Sequence, residues 1–414
     1  MTELEQMGQR ARDAAEILKN AGARKNKALE AIADALVNRS EEILSENRED
    51  VAHGRANGLT EALLDRLSLS ETRIRAMAQG AREVAALPDP VGRVVEGMTH
   101  PNGMKITKIT VPLGVIGMIY EARPNVTADA AVLCLKSGNA VILRGGKEAI
   151  RSNMRIAQIM REAIEGCGLP ADCIQLVSDT SRGSATALMS LTGYLDVLIP
   201  RGGAGLIRAV VEQSHVPVIE TGAGNCHIYV DRTADLEMAV RIVDNAKTSR
   251  PSVCNACEKV LVHQAVAADF LPRLKEALDK KQVELRGCDR TRAILGNSVR
   301  SAQPEDWETE YLDYILGIRV VENMEEALAH IRRYSTGHSE AIVTNDYRAA
   351  QMFTDRVDSA AVYVNASTRF TDGGEFGQGA EIGISTQKLH ARGPMGLNQL
   401  TSTKYIINGW GQVR

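Results

Sequence analysis

The feature that most constrains the fold of this chain is a regular alternation of short apolar runs and longer amphipathic segments that begins near Gly114. The short runs, such as GVIGMIYE and AVILRGG, have the length of buried strands, whereas SNMRIAQIMREAIEGCG repeats apolar residues every three or four positions. Strands that alternate with helices predict a parallel sheet with helices on both faces. A second series runs from CHIYVD at 226–231 to AAVYVNA at 360–366. The sequence therefore predicts two α/β domains.

The segments outside these two series have different patterns. Residues 3–87 place apolar positions three and four apart throughout, which predicts helices, and two prolines at 88 and 90 end this region. Two alternating runs surround Pro101-Asn102-Gly103, which predicts a β-hairpin. The tail, residues 397–414, contains a lone strand candidate, TSTKYIING. Because the hairpin and the tail both lack local partners, we expect the tail strand to pair with the hairpin of another subunit.

The composition limits the classes of function. A chain of 414 residues is longer than one hydrophobic core usually supports. Its net charge is -3 with acidic and basic residues interspersed, so it lacks the clustered cationic charge that binds nucleic acid or anionic lipid. The first 16 residues are charged and lack the apolar core of a secretory signal, and no apolar run reaches membrane-spanning length. We therefore expect a cytoplasmic protein that acts on a small molecule.

Two glycine-containing turns follow predicted strands and are candidates for binding a dinucleotide. A parallel sheet of this kind binds ligands at the carboxyl ends of its strands, where glycine lets the backbone approach phosphate. Neither turn is a GxGxxG motif, so ordinary tight turns are the alternative interpretation. The cations of the first turn can pair with a ribose 2′-phosphate, which favours NADPH over NADH. The candidate cofactor-binding residues are Arg144, Gly145, Gly146, Lys147, Arg201, Gly202 and Gly203.

Cys254 and Cys257 lie in a polar turn, SRPSVCNACEK, between a predicted helix and the strand KVLVH. Their spacing is compatible with half of a zinc site or with a dithiol centre, but no second ligand pair is apparent and a dithiol motif usually opens a helix. The other interpretations are a nucleophilic Cys254 beside an inert Cys257, or two buried and inert thiols. The seven cysteines are odd in number and most lie in apolar contexts, which is not typical of a disulfide framework. The residues alone leave these alternatives open.

A carboxylate, Glu220, follows the apolar run VPVI and precedes a glycine turn. A side chain in this position either faces a cleft at the end of a strand or serves as a turn or cap residue, and the sequence position does not decide between the two. The eight histidines show no i, i+4 pair typical of a metal-binding helix. The chain also contains no GxSxG elbow of the kind found in serine hydrolases.

Three segments carry a resemblance to a known family. VPLGVIGMIYEARPNVTADAAVLCLKSGNAVILRGGKEA, RPSVCNACEKVLVH and ALAHIRRYSTGHSEAIVTND closely resemble the gamma-glutamyl phosphate reductases, a branch of the aldehyde dehydrogenase superfamily, and the likeness covers essentially the whole chain. The resemblance implies an aldehyde dehydrogenase-like α/β fold with a Rossmann-type nucleotide-binding domain at 1–95 and 114–222. It also implies an α/β catalytic domain at 223–396 and a β-ribbon for oligomerisation at 96–113 and 397–414.

The same resemblance implies a reaction. Gamma-glutamyl phosphate, which is L-glutamate 5-phosphate, would be reduced by NADPH to L-glutamate 5-semialdehyde and phosphate through a thioester on Cys254, the second step of proline biosynthesis. Glu220, 34 residues before the cysteine, would manage protons. The oxyanion motif Trp-Asn-Phe-Pro of the superfamily is replaced by Ala122-Arg123-Pro124-Asn125, so either Arg123 or Asn125 would be the oxyanion donor. The candidate substrate-binding residues are Arg250, Ser252 and His338.

The resemblance also bears on partners and on competing functions. It implies a homodimer or homotetramer, a functional association with glutamate 5-kinase, and no bound metal. One alternative is a reductase of another acyl phosphate or acyl thioester, against which the segment around His338 argues. The other is a Cys-x-x-Cys redox or zinc-binding protein, which metal analysis of the purified protein would distinguish.

Overall fold

The structure is a computed structural model that describes residues 1–414, apart from the side chain of Ala62. The helices are α1 Glu3–Leu18, α2 Arg24–Asn38, α3 Ser40–Ala56, α4 Glu61–Leu67, α5 Glu71–Ala86, α6 Pro124–Lys136, α7 Ile150–Glu165, α8 Arg182–Met189, α9 Ala204–Gln213, α10 Leu236–Thr248, α11 Gln264–Asp279, α12 Asp289–Leu295, α13 Met324–Tyr334 and α14 Tyr347–Arg356. The strands are β1 Val94–Thr99, β2 Lys105–Pro112, β3 Val115–Tyr120, β4 Ala140–Arg144, β5 Ile174–Leu176, β6 Val197–Arg201, β7 Cys226–Val230, β8 Cys257–His263, β9 Glu284–Gly287, β10 Arg300–Ser301, β11 Ile315–Val321, β12 Ser339–Val343, β13 Ala361–Val364, β14 Ile384–Ser385, β15 Gly393–Pro394 and β16 Thr401–Asn408.

The chain divides into two compact units. The first unit comprises Met1–Thr221, Gly377–Gly383 and Met395–Arg414, and the second comprises Gly222–Phe376 and Ile384–Pro394. The division after Thr221 lies one residue before the boundary predicted between the nucleotide-binding and catalytic domains. The predicted catalytic domain, 223–396, includes residues 377–383, which cluster with the first unit.

The first unit contains a four-stranded parallel sheet in the order β5-β4-β3-β6. Every residue of β3 is buried, as the apolar run GVIGMIYE predicts for a strand covered on both faces. Side chains of α1, β3 and β6 form one hydrophobic cluster that includes Met7, Ala11, Ile119 and Leu198. The region predicted to be helical contains α1 to α5, and α5 ends at Ala86, before the two prolines. The predicted alternation of strands and helices is thus confirmed here.

A second, three-stranded antiparallel sheet in the first unit has the order β1-β2-β16, and we call it the ribbon. The predicted hairpin is confirmed, with Gly103 at a φ of 93° in its turn. The prediction that the tail strand pairs with another subunit is wrong, because β16 pairs with β2 of its own chain from Thr401 opposite Pro112 onward. The residue before β16 is also fixed, because Asn139 Nδ2 donates to the carbonyl of Leu400 at 2.9 Å.

The second unit contains a seven-stranded sheet in the order β10-β9-β11-β8-β7-β12-β13, and all of its neighbouring strands are parallel. Helices α10 and α11 cover one face, where Val243, Phe270 and Leu274 are fully buried. Helices α13 and α14 cover the other face, where Leu328 and Phe353 are buried. This arrangement confirms the second predicted α/β domain. Across the described residues, no helix has both the length and the apolar content needed to cross a membrane.

Candidate active site

In the first unit, the residues predicted to bind the cofactor lie at one edge of the sheet. Strands β3, β4 and β6 are parallel, and their register places Ile119 beside Arg144 and Tyr120 beside Arg201. The turns that follow the three strands therefore emerge at the same carboxyl edge. From β3 the chain crosses to β4 and β5 on one side, and it then returns to β6 on the other side of β3. Sheets of this kind bind ligands where the direction of the crossovers changes, which here is the crevice between β3 and β6.

The turn after β4 separates two cations with different surroundings. Arg144 is half-buried, and its Nη2 donates to the carbonyls of Thr180 at 2.6 Å and Ser181 at 2.9 Å. Burial lowers the pKa of Arg144, whereas the charge of Asp179 opposes that change. The side chain of Lys147 is exposed. Arg144 therefore holds the loop that follows β5, while Lys147 is the accessible cation of this turn.

The glycines of the same turn are needed for close packing. A Cβ atom on Gly145 would lie 2.2 Å from Asn153 Nδ2, and one on Gly146 would lie 2.2 Å from Glu148 Oε1. The Glu148 carboxylate also accepts a hydrogen bond from the backbone N–H of Ala122 at 2.7 Å. Glu148 thus ties the turn after β4 to the turn after β3. Sequence reasoning did not single it out, although it directly follows the candidate Lys147.

The turn after β6 leads into α9 and has an acidic neighbour. The backbone N–H of Gly203 donates to the carboxylate of Glu121 at 2.9 Å, and a Cβ on Gly202 would lie 2.6 Å from the same carboxylate oxygen. A Cβ on Gly203 would meet only that oxygen, at 3.8 Å, and one on Gly205 would meet nothing within 4 Å. The start of α9 therefore offers open space beside backbone N–H groups, as a phosphate requires. Glu121 was missed at the sequence level, although it follows β3 directly.

The two oxyanion candidates lie at the start of α6. Arg123 is half-buried and precedes the helix, while Asn125 is exposed in its first turn. Asn125 Nδ2 donates to Asp129 Oδ2 at 2.9 Å. Burial raises the pKa of Asp129 to about 6, and this hydrogen bond and the charge of Arg201 act in the opposite direction. One of the two N–H donors of the Asn125 amide is thus used to orient the side chain.

Glu220 lies at the end of a short extended segment beside β6. The backbone N–H of Ile219 donates to the carbonyl of Leu198 at 3.1 Å, and Val218 forms a parallel bridge to the same residue. Thr221 Oγ1 then donates to the carbonyl of Pro200 at 3.1 Å. Glu220 itself is half-buried. The structure thus places this carboxylate at the carboxyl edge of the first sheet, with the other candidates of that unit.

In the second unit, Cys254 lies at the opposite, amino edge of a sheet. It occupies a turn closed by a hydrogen bond from the N–H of Ala256 to the carbonyl of Val253 at 3.1 Å, directly before β8. Its own carbonyl accepts from Cys226 Sγ at 3.1 Å, and the next carbonyl, that of Asn255, accepts from Thr368 Oγ1 at 2.7 Å. Side chains from two other parts of the unit therefore fix the backbone of the turn, while the Cys254 side chain is only half-buried.

Asn255 and Gly224 hold the same turn from two sides. The side chain of Asn255 is buried, and its Nδ2 donates to the carbonyls of Thr371 at 2.9 Å and Arg369 at 3.2 Å. A Cβ on Gly224 would lie 1.4 Å from the carbonyl oxygen of Cys254. The chain before β7 can therefore reach the turn only because residue 224 is glycine. Gly224, Arg369 and Thr371 are distant from Cys254 in sequence, and sequence reasoning found none of them.

The two cysteines of the Cys-x-x-Cys segment have different environments. Cys257 is fully buried as the first residue of β8, and burial raises the pKa of its thiol to about 12. None of the seven cysteines forms a disulfide among the described residues. The same residues contain no group of three or more histidine, cysteine, aspartate or glutamate side chains that could hold a metal ion. Of the two thiols in this segment, only that of Cys254 has exposed surface from which a substrate could be reached.

The three predicted substrate-binding residues do not share one environment. Arg250 is exposed and Ser252 is half-buried, and both belong to the loop that carries Cys254. His338, by contrast, is fully buried; its Nδ1 lies 2.8 Å from Ser339 Oγ and 3.7 Å from Cys226 Sγ. A side chain without exposed surface does not reach a substrate in this structure. Its contact with Cys226, whose thiol donates to the Cys254 carbonyl, instead suits a residue that supports Cys226.

Comparisons with known proteins identify the family of this chain. The model of the aldehyde dehydrogenase family matches residues 2–307. The chain is 62% identical over 413 residues to a gamma-glutamyl phosphate reductase of Moorella thermoacetica and 60% identical over 414 residues to one of Heliobacterium modesticaldum, in each case covering 100% of this chain and 99% of the relative.

A solved structure gives the same result. The gamma-glutamyl phosphate reductase of Thermotoga maritima superposes with a TM-score of 0.97 at 50% identity, over 100% of both chains. The predicted aldehyde dehydrogenase-like α/β fold is thereby confirmed, and members of this family use NAD(P). The chain belongs to the aldehyde dehydrogenase family, and within it to the group of the gamma-glutamyl phosphate reductases.

Proposed function

We propose that this chain reduces L-glutamate 5-phosphate to L-glutamate 5-semialdehyde and phosphate with NADPH, through a thioester on Cys254, in the biosynthesis of proline. The observation that carries the proposal is the Cys254 turn. Its two central carbonyls are fixed by Cys226 and Thr368, while the thiol-bearing side chain remains half-buried beside a fully buried Cys257. The names of the relatives supply the acyl phosphate.

The chemistry of this proposal begins at the sulfur. The Cys254 thiolate attacks the 5-carbonyl carbon, the bond between that carbon and the phosphate oxygen breaks, and phosphate leaves with the electron pair. The thiolate rather than the thiol is the nucleophile, so a cationic neighbourhood favours the step. Arg250, four residues before Cys254, contributes positive charge from the same loop. After reduction, cleavage of the bond from carbon to sulfur releases the semialdehyde and regenerates the thiolate.

The cofactor would bind at the carboxyl edge of the first sheet. Lys147 would pair with the 2′-phosphate, and Arg144 would hold the neighbouring loop in place. The backbone N–H groups at the start of α9 would bind the diphosphate. Bound NADPH supplies the hydride that reduces the acyl carbon. The carboxylate of Glu121 now accepts from the Gly203 N–H, so it has to yield when a phosphate takes this donor.

The remaining predicted residues keep the roles implied by the resemblance. Asn125, oriented by its hydrogen bond to Asp129, would donate to the oxyanion with its second amide N–H, with Arg123 as the competing donor. Removal of one such donor typically costs ~3 to 4 kcal/mol of transition-state stabilisation. Glu220 would manage protons on the thiol. Because the acyl group goes to hydride and phosphate rather than to water, we expect Glu220 to matter less than in hydrolytic relatives.

Assembly into a homodimer or homotetramer would use the ribbon. Its outer strands expose apolar side chains, namely Val94, Val95, Met98, Tyr405 and Ile407, at 52 to 66% of their surface. Exposed apolar side chains at this density are typical of an interface. Substitution of Val95 and Ile407 by lysine should therefore yield smaller species by light scattering, whereas Tyr347→Lys, on an exposed residue of the second unit, should not. An unchanged oligomer in the ribbon variant would exclude this interface.

The test of the function is an assay in the reverse direction with pyrroline-5-carboxylate, phosphate and NADP. We expect reduction of NADP that depends on phosphate and that is lost in Cys254→Ser. Reduction without phosphate would contradict the acyl phosphate as substrate. A turnover that required zinc, or a cycle driven by a dithiol reductant, would support the alternative Cys-x-x-Cys function instead.

A further inference from the structure

Arg369 connects the two ends of the loop that carries Cys254. It follows β13 and is half-buried. Its Nε donates to Ser249 Oγ at 3.1 Å, and its Nη1 donates to Asn255 Oδ1. Ser249 precedes Cys254 by five residues and Asn255 follows it directly, so the guanidinium spans the loop on either side of the cysteine. Neither the motifs nor the resemblance had indicated this residue.

The charge around this guanidinium is not balanced by an ion pair. In the part of the chain that the structure describes, neither Arg250 nor Arg369 forms an ion pair with a carboxylate. Burial lowers the pKa of Arg369, the positive charge of Arg250 lowers it further, and the charges of Asp372 and Cys254 oppose both effects. Two guanidinium groups thus act on each other close to the cysteine. Like charges of this kind are stabilised when an anion binds to both of them.

The geometry of Arg369 also leaves donors for such an anion. A guanidinium carries five N–H donors, and the two hydrogen bonds to Ser249 and Asn255 use one on Nε and one on Nη1. The Nη2 donors and the second donor on Nη1 remain. The loop contacts fix the plane of the group, so these donors have a defined direction. An oriented guanidinium is the group best suited to the paired oxygens of a phosphate.

We infer that Arg369, together with Arg250, binds the phosphate group of the acyl phosphate next to Cys254. The inference rests on the proposed function and adds the site that binds its leaving group, phosphate. When the thiolate attacks, the bond from the acyl carbon to the phosphate oxygen breaks, and phosphate leaves with the electron pair onto these two cations. In the reverse direction, a phosphate oxygen held there attacks the thioester carbon, and the sulfur leaves as thiolate.

The test compares Arg369→Met with Arg369→Lys and with a control, Arg356→Met, whose arginine pairs with Glu325 on the surface of the same unit. In the reverse assay, the KM for phosphate should rise about 30-fold in Arg369→Met, as expected for loss of a hydrogen bond between charged groups. The KM values for pyrroline-5-carboxylate and NADP should change less than about 3-fold. The control should resemble the wild type in all three, and Arg369→Lys should fall between the two.

A second measurement does not require turnover. Inorganic phosphate should slow the alkylation of Cys254 by iodoacetamide in the wild type and in Arg356→Met, but not in Arg369→Met, with the modified residue identified by mass spectrometry. An unchanged KM for phosphate in Arg369→Met would overturn the inference. Equal increases in the KM values of all three substrates would also overturn it, because they would indicate a distorted loop rather than a lost phosphate contact. If Arg369→Met does not fold, the phosphate KM of Arg369→Lys decides in the same way.

The two proposals can fail separately. A wild-type protein that shows no phosphate-dependent reduction of NADP contradicts the proposed function. Phosphate protection of Cys254 that disappears in Arg369→Met would then still support an anion site at this arginine. The converse outcome is a wild type that depends on phosphate and Arg369 variants that keep both the phosphate KM and the protection of Cys254. That result would support the proposed function and contradict the phosphate site at Arg369.

Discussion

The two parallel sheets of this protein carry their functional side chains at opposite ends. In the first unit, the candidate residues follow the carboxyl ends of β3, β4 and β6, and glycines lie in the turns after β4 and β6. In the second unit, Cys254 lies three residues before β8, Gly224 two residues before β7 and His338 directly before β12, so the proposed nucleophile lies at the amino edge. For the same type of sheet, cofactor binding is thus predicted at one end and covalent chemistry at the other.

The difference reflects what each site must hold. A cofactor phosphate needs donors with open space around them, and the start of α9 supplies this, because a Cβ on Gly205 would meet nothing within 4 Å. A nucleophile needs a fixed backbone, and the Cys254 turn is held by Cys226, Thr368 and Asn255. Glycine at 224 serves close contact between two backbones rather than access for a ligand. The comparison therefore predicts different sensitivities to substitution at the two edges.

The largest effect should come from the two cysteines of the amino edge. Cys254→Ser should lose turnover by at least about 10³-fold, because an unassisted hydroxyl is a much weaker nucleophile, while NADPH binding is retained. Cys257→Ser should keep its activity per folded molecule and lose about 1 to 3 kcal/mol of stability, since its hydroxyl replaces a buried thiol. Phosphate-dependent oxidation of the semialdehyde and thermal melts measure both effects. Equal inactivation of two well-folded variants would contradict the single-nucleophile mechanism.

The second effect distinguishes the two kinds of glycine. Gly224→Ala should reduce kcat about 10²-fold, because the new Cβ cannot lie 1.4 Å from the Cys254 carbonyl and the turn has to move. Gly205→Ala is the matched substitution at the carboxyl edge. It should fold with equal or higher thermal stability, since alanine is favoured over glycine in a helix, and any kinetic change should be confined to the KM for NADPH. Normal kcat in Gly224→Ala would show that the turn tolerates displacement.

The third effect concerns the pH dependence of stability at the buried amino edge. Burial raises the pKa of Glu340, on β12, to about 7 from an ordinary 4.5, against hydrogen bonds from Ser335 and Ser359 and the charge of His338. Between these pH values the folded state holds the extra proton, so the stability contributed by neutral Glu340 is present below about 4.5 and is lost as pH rises through 7.

Glutamine cannot ionise, so Glu340→Gln should lack this loss. Relative to the wild type, its free energy of unfolding should rise by up to ~3 kcal/mol between pH 5 and about pH 8.5. Chemical denaturation at several pH values measures the difference. The neighbouring His227, whose pKa burial lowers to about 3, is present in both proteins and cancels in the comparison. Parallel curves for the two proteins would show that Glu340 is ionised without cost.

The smallest effect should come from the exposed cation of the carboxyl edge. Lys147→Ala should raise the KM for NADPH about 10-fold, equivalent to ~1.4 kcal/mol, and leave the KM for NADH nearly unchanged. Arg144→Met should affect both cofactors alike, because its Nη2 holds the carbonyls of Thr180 and Ser181. Equal effects of Lys147→Ala on the two cofactors would show that this lysine does not read the 2′-phosphate.

The carboxyl edge was largely predictable from the sequence, and the amino edge was not. Arg144 and Arg201 end apolar runs, so their strands bring them to one edge whatever the details of packing. The partners of the Cys254 turn come from distant positions, such as Thr371, 116 residues beyond Asn255. Thr368 and Arg369 belong to no motif. His338 carries a strong signature in sequence, yet its fully buried side chain does not suit the predicted substrate contact.

By itself, the sequence determined the elements, the two α/β domains and the parallel sheets, because periodicity and strand length are local properties of the chain. Only the tertiary structure decided which strand the tail joins, how Gly224 meets the Cys254 carbonyl, and that Arg369 spans the loop that carries Cys254. These contacts depend on how separate elements pack, and their energies come from close approach of atoms that no local pattern records.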